Sequence, residues 1–140
     1  DDLIGFVGAA DFEEFVVPYF KRISDSIDVK VKALHNDCMG IITAKNMNRM
    51  GYNLFNFAFD HPMQQIRELS GDDVVLLGNI PPRDVLAAGS PEEVRRSVTE
   101  MLDSIPDKTR VIASCGGGTP PGVPSDNILA LVDAVRHYGK

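Results

Sequence analysis

Four times along this chain a short run with strand character gives way to a stretch with helical spacing, and that alternation limits what it can fold into. Val29 to His35 alternates with period two, which places Val29, Val31, Ala33 and His35 on one face. The aromatic-rich run Tyr52 to Phe59 reads as a second strand, Val74 to Leu77 as a continuously apolar third covered on both faces, and Arg110 to Ala113 as a fourth. Helices follow them. The first runs from Ala44 to Met50 and is closed by Gly51, and the second spans Met63 to Leu69, ahead of Gly71. The third opens on the capping box Ser90-Pro91-Glu92-Glu93 and runs to about Ser104. The last covers Ser125 to Tyr138, after a Gly- and Pro-rich loop from Gly116 to Pro124. Ahead of the first strand, apolar residues from Phe12 to Ile23 recur at helical spacing, so a helix is expected from Asp11 to about Ile27 with a bend at Pro18.

This order predicts an α/β fold with a parallel sheet and right-handed crossovers. A closed TIM (β/α)8 barrel takes about 250 residues, so 140 residues with four strands supply only about half of one. An open doubly wound sheet is the rival, and the pattern by itself admits both. The chain reads as a single domain over 1–140. Its opening at Asp1-Asp2, without an initiator Met, suggests a stretch of a longer or processed protein.

A formal net charge of -6 argues against a nucleic-acid partner, because binding to a phosphate backbone draws on clustered Lys and Arg. No apolar run approaches the roughly 20 residues needed to cross a bilayer, and no secretory signal opens the chain. Cys38 and Cys115, far apart in such a chain, are expected to be free thiols or metal ligands in a reducing, cytoplasmic setting.

In either architecture small molecules bind at the carboxyl ends of the strands. The residues there are His35, Asp37 and Cys38, then Asp60 and His61, Asn79, and Cys115 with Gly116 to Gly118. His35 and Asp37, two apart on an extended chain, project to one side; Val111, Ala113 and Cys115 likewise share a face. If both faces look into one mouth, His35, Asp37 or Cys38, and Cys115 meet around an ion such as zinc with a position open for substrate. The bland alternatives are a packed cysteine, a hydrogen-bonded histidine, and a capping or solvated role for Asp60 and His61. The glycine loop can close over a substrate or present amides to an anion, and its spacing matches neither a dinucleotide fingerprint nor a P-loop.

Several motifs carry a family resemblance. Leu77-Gly78-Asn79-Ile80-Pro81-Pro82, Gly89-Ser90-Pro91-Glu92-Glu93-Val94 and Cys115-Gly116-Gly117-Gly118-Thr119-Pro120-Pro121-Gly122-Val123-Pro124, with Pro18-Tyr19 and Leu34-His35 in the same order, resemble the carboxyl-terminal half of the uroporphyrinogen decarboxylase superfamily. The resemblance implies strands five to eight of a (β/α)8 barrel. It also implies two chemistries on a small-molecule substrate: methyl transfer, the branch the chain resembles most, and decarboxylation as the alternative. In the branch of zinc-dependent methyltransferases, a methyl group passes from a methylated corrinoid, held on a corrinoid protein, to a thiol. A His-x-Cys pair and a later Cys bind the zinc there; His35 and Cys115 match, while Asp37 stands at the middle Cys position and Cys38 follows it. In the other branch a porphyrinogen loses carboxylates without metal, as in heme biosynthesis. The glycine loop of those decarboxylases begins Gly-His where this chain has Cys115, and their catalytic Asp would lie in the half before Asp1. On the methyltransferase reading, zinc would hold the substrate sulfur as thiolate, Asn79 would bind the substrate's polar tail, and Gly116 and Gly117 would lie against it. A third possibility is an inactive half barrel that binds its missing half or pairs with itself through open sheet edges.

Overall fold

The computed structural model describes residues 3–140. After a 3₁₀ turn at Ile4–Phe6 come two short helices, α1 (Ala9–Phe15) and α2 (Val17–Asp25). They are the single helix expected from Asp11, broken ahead of Pro18, which has no N–H to donate and sits in the first turn of α2. Four βα units follow: β1 (Ala33–Asn36) with α3 (Gly40–Met50), β2 (Leu54–Phe57) with α4 (Met63–Ser70), β3 (Val75–Ile80) with α5 (Pro91–Asp103), and β4 (Val111–Cys115) with α6 (Ser125–His137).

Several boundaries differ from the sequence reading, most clearly at β1, α3 and the segment after β3. β1 begins at Ala33 rather than Val29, because the Asn53 side chain takes the Lys32 N–H at 2.8 Å and donates to the Lys30 carbonyl at 2.8 Å, engaging backbone groups that a strand partner would use. Helix α3 starts at Gly40, four residues ahead of Ala44, and still ends where Gly51 adopts φ 80°. Between β3 and α5 the chain makes a π-helical turn, Pro82–Ala87, that periodicity did not show; Asn127 of α6 fastens it by donating to the Leu86 and Gly89 carbonyls at 2.9 and 2.8 Å. The Ser90–Glu93 capping box forms as expected.

All strands are parallel, and their order is β1-β2-β3-β4. A doubly wound sheet reverses its winding at a switch point; here each strand is added beside the one before it, as in a barrel. Leu34, Phe55 and Leu76 lie in one register row, buried beneath the helices, whereas Ala33, His35 and Ile112 are exposed on the opposite face. The core between sheet and helices is built from Met47, Met50, Phe55, Phe57, Ile66, Val98 and Ile105. At the amino ends of the strands, buried Arg67 donates to the carbonyls of Gly71, Val74, Thr109 and Arg110, tying α4 to the entries of β3 and β4. Among the described residues no helix is long and apolar enough to cross a membrane.

Candidate functional site at the strand ends

The carboxyl ends of β1 and β2 bring together a histidine, a carboxylate and an amide. His35 Nδ1 lies 2.6 Å from Asn56 Oδ1, and His35 Nε2 lies 3.0 Å from Asp37 Oδ2. Asn56 Nδ2 donates to the Leu77 carbonyl at 2.7 Å and to the Cys115 carbonyl at 3.3 Å. With its NH2 group so committed, Asn56 presents only its oxygen to the imidazole, so Nδ1 carries the hydrogen and Nε2 faces the carboxylate. Nε2 and Oδ2 thus stand within hydrogen-bond distance of each other.

Cys38 is turned away from this pair. It is buried; its thiol donates to Asn36 Oδ1 at 2.7 Å and accepts the Gly5 N–H at 3.0 Å, while Asn36 Nδ2 bonds the Thr43 hydroxyl at 2.8 Å on the helix side. Cys115 shares a face with Val111 and Ala113, but Val111 pairs with Leu76, so that face looks toward the helices and away from His35. Its thiol packs with Leu86, Val94 and Ala130, and lies 3.3 Å from both the Gly117 carbonyl and the Thr119 hydroxyl. Both thiols are free.

Among the described residues no three His, Cys, Asp or Glu side chains gather closely enough to hold a metal ion. His35, Asp37, Cys38 and Cys115, the candidates from which three zinc ligands were expected, therefore include one touching pair and two thiols engaged elsewhere. As placed, they do not fit zinc.

Gly117 has φ 86°, and a Cβ there would overlap the Asp37 carboxylate, so the loop backbone lies against Asp37 as only glycine permits. Gly116 is buried against Phe57 and Phe59. Asn79 donates to the His61 carbonyl at 2.7 Å and borders a smaller cleft with Asp60, His61, Glu100 and Met101. Among the described residues, His61 Nε2 is buried without a hydrogen-bond partner, 3.8 Å from Asp60 Oδ2. The larger of the two strand-end clefts lies between the glycine loop and the π-helical turn, bounded by Asp37, Phe59, Arg83, Asp84 and Thr119. Asn56 and Arg83 escaped the sequence reading. The signal for Asn56 was present, since a polar residue between Phe55 and Phe57 in a strand needs buried partners.

The uroporphyrinogen decarboxylase (URO-D) family model matches residues 1–138. The uroporphyrinogen decarboxylase of Christiangramia forsetii is 29% identical over 136 residues, covering 96% of this chain and 38% of that protein. The human enzyme of the same name is 28% identical over 144 residues, covering 97% of this chain and 38% of its own length. A solved methyltransferase from Methanosarcina mazei superposes with a TM-score of 0.79 over 96% of this chain and 39% of that one, at 20% identity, which speaks to the fold alone. The chain thus spans 38% of the length of these curated relatives. Because the family pattern runs through every strand and helix described above, the four βα units are part of a (β/α)8 barrel, and the chain belongs to the uroporphyrinogen decarboxylase family.

Proposed function

We propose that the protein to which this chain contributes is an enzyme that removes carboxylate from a carboxylated tetrapyrrole, working at the mouth formed by the strand ends. The observation that carries this reading is the His35–Asp37 contact, set by Asn56 on the open face of the sheet. Decarboxylation breaks a carbon–carboxylate bond, releases CO2 and leaves an electron pair that a proton must take up. An imidazole and a carboxylate sharing one proton can supply it, with no metal required of this chain. The names of the curated relatives support the same reading.

One observation favours a second reading, methyl transfer to a thiol from a methylated corrinoid on a partner protein. Cys115 and Asp37 both touch Gly117, so the thiol matching a family zinc ligand stands one residue from the candidate pair. Among the described residues, however, these donors do not close around an ion.

The test uses the full-length protein, assayed by chromatography with reduced uroporphyrinogen while its zinc is measured. Loss of substrate carboxylates at low zinc supports decarboxylation. Stoichiometric zinc that is lost on Cys115→Ser, together with thiol methylation by a methylated corrinoid and no turnover of porphyrinogen, replaces it with the second reading.

A further inference from the structure

The larger strand-end cleft has a volume of about 610 Å³, and Arg83 is the one basic side chain among the described residues that border it. The chain places Arg83 there firmly. Pro81 and Pro82 turn the backbone out of β3, the π-helical turn buries Leu86, and Asn127 pins the turn to α6. Arg49, Arg67, Arg95, Arg96 and Arg110 are each tied to a carboxylate or a carbonyl. The Arg83 guanidinium, exposed at the cleft, bonds to none of the described residues. Across the cleft the amides of Gly118 and Thr119 donate to no acceptor among the described residues.

The remaining walls are apolar and flat: Phe59, which is 46% exposed, with Ala58, Pro82, Pro120 and Pro121. Asp37 and Asp84 put acceptors on the same lining, and Asp37 already meets His35. A guanidinium and open amides recognise an oxyanion, apolar walls recognise a ring, and a carboxylate accepts a ring N–H. We infer that this cleft is a subsite for a ring-borne carboxylate, with Arg83 as the residue that receives the carboxylate and sets specificity for it. The inference rests on the reading that the strand-end mouth is the decarboxylase site.

The test measures binding of uroporphyrin I, an oxidised and unreactive octacarboxylate, to the full-length protein by absorbance titration. The variants are Arg83→Ala and Arg83→Lys, with circular dichroism to confirm that each is folded. The expected result is at least a tenfold rise in Kd for Arg83→Ala, with most of the affinity restored in Arg83→Lys. Folded Arg83→Ala that binds within twofold of the parent overturns the inference. So does Arg83-dependent binding of 2-mercaptoethanesulfonate without binding of uroporphyrin, which would assign the anion site to a sulfonated thiol. Arg83-dependent uroporphyrin binding in a protein that cannot decarboxylate the porphyrinogen overturns the proposed reaction and leaves this subsite standing.

Discussion

Asn56 Oδ1 sits 2.6 Å from His35 Nδ1, and the amide nitrogen of the same side chain reaches carbonyls on β3 and β4, so one buried residue of β2 touches all four strands. Its replacement therefore tests structure and site together. Asn56→Ala leaves two carbonyls without their donor and is expected to cost about 2 kcal/mol in urea unfolding of the full-length protein. Asn56→Asp should cost more, because it sets a carboxylate against the same two carbonyl oxygens. If both variants unfold like the parent, the bridge is not structural.

The glycine loop makes a paired prediction. Gly117→Ala requires a left-handed backbone and collides with Asp37, whereas nothing lies within 4 Å of a Cβ at Gly118. Gly117→Ala is expected to lower activity at least tenfold while costing about 1 kcal/mol of stability. Gly118→Ala should match the parent in both. Equal behaviour of the two variants in steady-state assays would rule out a special role for the contact with Asp37.

Arg67 holds four carbonyls at the opposite end of the sheet from the cleft. Its truncation to Ala strands them, and a loss of about 3 kcal/mol is expected. Arg67→Lys should recover little, because an ammonium lacks the planar fork that reaches several acceptors at once. Thermal unfolding of both variants checks this.

Acid sensitivity is expected at the start of α5. The Ser90 backbone N–H, donating to the Glu93 carboxylate at 2.7 Å, holds that group below its ordinary value of 4.5. A carboxyl group that is more acidic folded than unfolded contributes stability above the ordinary value and loses it as pH falls through the depressed one. Asp107 is lowered likewise, first by the Thr109 N–H. Glu93→Gln should therefore flatten the fall in stability below about pH 4.5 without changing the neutral-pH midpoint by more than a few degrees. An unchanged acid limb would count against the capping box as its source.

The stretch expressed alone is expected to associate. β1 and β4 form the two edges of the sheet, and Leu3, Phe6, Phe15, Tyr19 and Ile112 are all more than 40% exposed. Sedimentation of the 140-residue chain should show dimers or larger species; a monomer across the micromolar range would contradict this.

How much of this was legible beforehand depended on the kind of interaction involved. Helices and strands announced themselves through periodicity, and Ser90 with Glu93 through capping chemistry, because those signals are local. The start of β1 was hidden because the groups that replace a strand partner belong to Asn53, far along the chain. Spacing correctly grouped Val111, Ala113 and Cys115 on one face. It carried no information on whether that face met helices or the open side, and so could not separate His35 from Cys115. Arg83 stayed hidden for a related reason: its importance comes from a π-helical turn fastened by Asn127.

The sequential strand order also governs how such a chain finds its shape. His35, Asn56 and Leu77 follow one another at intervals of 21 residues, so each early pairing closes only a short loop. The entropy lost in closing a loop grows slowly, by about 0.6 kcal/mol for each doubling of its length, and contacts between sequence neighbours favour fast ordering. A sheet wound in this manner can grow one unit at a time from whichever end emerges first, leaving its costliest closure, between first and last strands of a complete barrel, for the end.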